Sequence, residues 1–168
     1  MEKMITPYFF NSPLETGLRL LFVFNNTNKR FLDIQRLVYY NYLLIHSSDI
    51  PEAPFESLHP EMPNRSCEIL IGRKIIQKGI NLLLSKGLIC VHYEKSGVRY
   101  NSNENTSLFM GYLSSKYSKE LEKRAKWVCE KYDSMSDHKL NGFMQSNLGT
   151  WGAEFSREFH LMGDLNNA

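Results

Sequence analysis

Histidines at 46, 59, 92, 138 and 160 and cysteines at 67, 90 and 129 are the side chains whose type invites acid–base, nucleophilic or metal chemistry. Their spacing does not support it. No pair stands in an H-x3-H or C-x2-C arrangement, so no zinc framework is written in the chain. Cys67 opens a helix-like run, and a helix N-terminus favours the thiolate. A nucleophile also needs a base, and none stands beside Cys67 in sequence, so a small buried thiol is the plainer role. An enzymatic site would have to be assembled from His46, His59 and Cys67; loop or capping roles suit these histidines better. The chain has no Walker loop, no G-x-G-x-x-G, no G-x-S-x-G and no acidic cluster of the nuclease kind. The expectation is a protein that is not an enzyme, with no catalytic residues, no metal site and no cofactor.

Charge is more informative than chemistry here. The formal net charge is only +2, too little to demand a nucleic-acid partner. Its distribution is uneven. Residues 65–99 carry seven basic side chains against Glu68 and Glu94, whereas residues 1–64 and 134–168 are each net −2. Arg65, Arg73, Lys74, Lys78, Lys95 and Arg99 are therefore the candidate contacts to a partner or to a DNA backbone. A plain solvated face is the alternative, and no arginine pair stands out for reading bases.

The elements that must position these residues follow from pattern. Apolar residues make up 42% and aromatics 12% of the 168 residues, which argues against disorder and for an independent core. Ser12-Pro13 reads as a helix start, and "NNTNKR" as its end. Asp33 caps a second helix within 32–49. After a Pro-rich stretch (50–63), a third helix spans about 66–86, with Ile69, Leu70, Ile76, Ile80, Leu83 and Leu84 as its buried face. Gly72 and Gly79 lie on one side of it, either for close packing or as a kink. Around Gly97 the period changes to two, giving a hairpin of strands 88–93 and 98–102.

Three helices followed by a hairpin is the winged-helix order, in which the third helix is the groove reader. Further helices follow at 115–133, with Glu120–Arg124 and Glu122–Lys126 as supporting pairs, and after Ser136. Trp151, Phe155 and Phe159 stand at helical spacing near the end, as anchors for a partner or as internal packing. The fold class expected is mainly α with a small β-hairpin. A winged-helix-like core (1–104) would be followed by a C-terminal helical region (105–168) packing on the core, on partners, or on both.

"LRLLFVF" is interrupted by Glu15 and Arg19 and has no cleavage site after it. No run approaches bilayer length. Three widely spaced cysteines suit free thiols in a reducing compartment. A cytoplasmic protein without membrane contact is expected.

Four blocks carry a resemblance: "FFNSPLETGLRLLFVF", "LDIQRLVYYNYLLIHSSDI", "SLHPEMPNRSCEILIGRKIIQKGINLLLSKGLI" and "LSSKYSKELEKRAKWVCEKYD". Over roughly residues 7–133 they resemble the middle component of ABC three-component defence systems, the family of the small subunit of Lamassu-type anti-phage systems. The resemblance implies a non-enzymatic adaptor. Its partners would be an SMC-like or Rad50-like ABC ATPase that senses foreign DNA and an effector, often a nuclease, held inactive until triggered. DNA would be met through the complex, with weak or no direct binding. The family brings no catalytic residues to transfer. A stand-alone winged-helix transcription regulator is the rival expectation.

Overall fold

The computed structural model describes residues 11–28, 30–60 and 65–151, and for residues 65–67 the backbone only. Among them the chain is mainly helical with one two-stranded antiparallel hairpin, as expected. Helix α1 (Pro13–Asn26) starts where Ser12 accepts a hydrogen bond from the Glu15 amide at 3.1 Å, with proline in its first turn. It ends at Thr27 and Asn28, the latter at φ 47. Helix α2 (Ile34–Ile45) is capped by Asp33, which accepts from the Arg36 amide at 2.8 Å. Helix α3 (Arg65–Ser85) stops before Gly87, whose φ of 64 suits glycine.

Strands β1 (Ile89–Glu94) and β2 (Gly97–Ser102) pair around a Lys95-Ser96 turn, with Val91 opposite Tyr100 and Tyr93 opposite Val98. Leu32, between α1 and α2, adds a two-bond bridge to Tyr100, both bonds 2.8 Å. Helix α4 (Glu104–Met110) was not anticipated. Its signal is the Asn103–Thr106 capping box, in which each side chain bonds the other's backbone amide. Helix α5 (Lys116–Tyr132) is capped by Ser115, and α6 (Asp137–Leu148) by Ser136.

Helix α1 is the centre of the molecule. Leu20 to Phe24 are all buried, because α2, α3, α4 and α5 each pack on it. One apolar cluster runs from Leu20 through Leu43 and Ile80 to Val128 and Met144, joining α1, α2, α3, α5 and α6. Each fully buried Leu or Phe in it contributes about 1.5–3 kcal/mol.

The α1–α3 crossing explains one of the two glycines in α3. A Cβ on Gly79 would stand 3.0 Å from the Gly17 nitrogen and 3.1 Å from the Pro13 oxygen, so the two backbones touch only because both positions lack side chains. A Cβ on Gly72 would meet nothing within 4 Å.

Several expectations need correcting. Leu70 is not on the buried face of α3 but 71% exposed; the stripe that faces α1 is Ile76, Ile80 and Leu83, one helical phase away. Glu122 accepts from Asn26 at 3.1 Å instead of pairing with Lys126, which lies 4.0 Å from Glu130. Glu120–Arg124 forms as expected, at 2.7 Å.

Candidate interaction surfaces

The basic residues expected to act together separate into two groups. Arg73 points towards α2, where its Nη1 donates to Gln35 Oε1 at 2.6 Å. Arg99 lies between two carboxylates, 3.3 Å from Glu94 and 3.5 Å from Asp137. Lys74, Lys78 and Lys95 are exposed. The Arg65 side chain, Phe155 and Phe159 lie outside the described residues. Trp151 is half-buried, stacked on Tyr42 with ring centroids 5.7 Å apart and edge-on to Phe143.

What remains open on α3 is one coherent face. Ile71, Lys74 and Lys78 follow at i, i+3 and i+7, so they project on the same side. Leu70 is beside them, and Ile71 is 63% exposed. Glu68, the only acid in α3, turns inward, its Oε1 2.7 Å from His46 Nε2. The solvent side of α3 is thus apolar and positive, without a carboxylate.

Burial also reassigns the histidines. His46 has no exposed surface, and its Nδ1 and Glu68 Oε2 are buried without hydrogen-bond partners among the described residues. His59 Nε2 lies 3.1 Å from the Tyr117 hydroxyl and 3.9 Å from Glu15. Burial, and after it the Arg19 charge, push His59 down to about 4. His46 is thus tied to α3 through Glu68, and the partly exposed His59 to α5 through Tyr117. The Cys67 side chain lies outside the described residues. Cys129 is buried, and burial raises its thiol pKa. Among the described residues no group of three or more His, Cys, Asp or Glu is placed to hold a metal ion. No helix among them is long and apolar enough to cross a membrane.

The burial of three arginines escaped the sequence reading. Arg19 donates to Asn41, Thr16, Glu15 and Asn11. Arg36 ties α2 to α6, with Nε 2.8 Å from Asp137 and its Nη groups on Tyr40, Tyr132 O and Met135 O. Arg36 holds the Asp137 carboxyl below its ordinary pKa, although partial burial alone would raise it. Arg124 reaches the Glu56 carbonyl at 2.8 Å and lies over the Phe55 ring. Their signal was in the sequence: Arg19 and Arg36 each interrupt an apolar helical run.

The family model described as ABC-three component (ABC-3C) system Middle Component 2 matches residues 9–154. The chain belongs to that family. The match runs beyond the resembling blocks and through α6. A middle component is one subunit of a multi-component defence system, so it has partner subunits. No curated protein and no solved structure matches the chain.

Proposed function

We propose that this middle component is a non-catalytic adaptor in an anti-phage complex of the Lamassu type. It joins an SMC-like or Rad50-like ABC ATPase that senses foreign DNA to a nuclease-type effector, and helps hold the effector inactive until DNA triggers the complex. It works in the cytoplasm and meets DNA through the ATPase. The observation that carries this reading is the solvent face of α3. Leu70 and Ile71 are exposed beside Lys74 and Lys78, with no acid among them. A partner helix with apolar and acidic residues satisfies both features. A phosphate backbone satisfies only the lysines.

A stand-alone winged-helix regulator is the second reading. It is favoured by the order of three helices and a hairpin and by the Leu32–Tyr100 bridge. Such a regulator would set α3 in a major groove, where Leu70 and Ile71 would find little to read.

Coexpression of the chain with the two other components of its system, followed by affinity capture and mass photometry, tests the adaptor. We expect a stable ternary complex, and loss of one component on combining Lys74→Glu with Lys78→Glu. A lone monomer or homodimer that binds duplex DNA with a steep salt dependence would overturn it in favour of the regulator.

A further inference from the structure

Helices α1, α4 and α5 enclose a groove of about 580 Å³ on elements separate from the α3 face. Its apolar lining includes Phe22, Met110 and Leu113. Its α5 side is formed by Lys119, Glu122 and Lys123. Leu108 and Tyr112, next in the chain to the lining residues Ser107 and Gly111, are 67% and 84% exposed. A small domain gains nothing in stability from holding such side chains in water; exposed apolar surface beside a groove marks a binding region.

The charge beside it is one-sided. Lys116, Lys119, Lys123 and Lys126 follow at i, i+3, i+7 and i+10 on α5, which puts them on one stripe of the helix, all exposed. The acids nearby are engaged. Glu120 bridges Lys123 at 3.0 Å and Arg124 at 2.7 Å, and Glu122 accepts from Asn26. Lys116 and Lys119 have no carboxylate partner among the described residues.

We propose that this groove and its lysine stripe form a second docking surface, which takes an acidic segment, apolar along one side, from another component of the three-component system. The inference rests on the adaptor reading, since an adaptor needs two separate surfaces. A large apolar side chain of the segment fills the groove between Met110 and Leu113, and its carboxylates lie along Lys116 and Lys119. The apolar lining decides between protein and nucleic acid. A duplex would pair with the lysines and leave Leu108 and Tyr112 facing water.

The test uses the full chain coexpressed with both other components. In one variant Tyr112 is replaced by the photo-crosslinker p-benzoylphenylalanine; in another, Lys116→Glu is combined with Lys119→Glu. Thermal melting of the isolated charge variant verifies that it folds. We expect at least a tenfold loss of affinity for one component with the other retained. We also expect the crosslink from position 112 to map to an acidic stretch of the component lost. Wild-type affinity for both components in the charge variant, or no crosslink from position 112 when the same probe at position 71 reacts, would overturn the proposal. Loss of duplex DNA binding with both components retained would overturn it in favour of phosphate. A wild-type chain that captures neither component would overturn the adaptor reading itself, which the other outcomes leave standing.

Discussion

Arg36 ties α2 to the end of α5 and the start of α6. Its guanidinium is buried, and it satisfies one carboxylate, one phenol and two backbone carbonyls at once. The Tyr132 and Met135 carbonyls sit where α5 ends, so losing the arginine strips the α5–α6 connection of its donors. Arg36→Met is expected to cost about 3 kcal/mol, the lower end for breaking a buried ion pair, because Asp137 keeps contact with water. Urea denaturation reads this directly; a loss below about 1 kcal/mol would mean that the cluster is dispensable. His59 makes a prediction of opposite chemical character. It is held neutral in the fold, at about 4 against an ordinary 6.5. The unfolded chain binds the extra proton between those values, so the stabilising contribution is complete above about pH 6.5 and is lost as pH falls towards 4. The groups facing it are Tyr117, Glu15, Arg19, His46 and Glu68. The melting temperature should fall between pH 7 and pH 5, and fall less in His59→Asn. Parallel pH profiles for the two proteins would rule His59 out as the source.

At the scale of elements, the helix starts were the most legible part. Ser12, Asp33 and Ser136 announce themselves because a short polar side chain before an apolar period has one favourable use, bonding a free amide. Helix α4 was not legible, since seven residues hold too little periodicity to stand above a turn. The buried face of α3 was misjudged at Leu70 for a related reason. "ILIGRKII" offers two overlapping apolar stripes, and only the Gly17–Gly79 contact selects the one that faces α1. The two glycines of α3 should therefore respond oppositely to alanine. Gly72→Ala adds a methyl into open space and gains up to about 1 kcal/mol of helix propensity. Gly79→Ala drives a methyl into the α1 backbone and should cost about 1–3 kcal/mol beyond that gain. Thermal melts should move up for the first and down for the second, by roughly 2–4 °C per kcal/mol in a chain of this size. Equal shifts would show that the crossing is not tight.

For the whole molecule, the net charge of +2 said little about partners, and only its distribution along the chain pointed to a contact region. The basic excess over residues 65–99 was visible in the sequence. Arg73 stays exposed but bonds Gln35, and the partly buried Arg99 lies between Glu94 and Asp137, which leaves Lys74 and Lys78 as the uncommitted charges. The lysines of α5 were hidden by their neighbours, because residues 116–132 alternate in sign and read as internal pairing until the fold lines up four lysines on one side. Helix α6 is part of the same body. Leu140, Met144 and Leu148 are buried and Asp137 holds Arg36. Ending the chain after Asp133 removes three buried side chains at about 1.5–3 kcal/mol each, a large share of the 5–15 kcal/mol typical of a domain. The shortened protein should melt many degrees lower or lose cooperative unfolding, as read by calorimetry.

The central position of α1 has a consequence for biosynthesis. Val23 of α1 lies against Cys129 of α5, 106 residues later in the chain. At about 5–20 residues per second, the apolar sides of α1 leave the ribosome roughly 5–20 s before their last cover is made. The nascent chain therefore passes through an interval in which one of its two most apolar helices lacks part of its cover. Helices α2 and α3, made before α5, can cover part of it in the meantime.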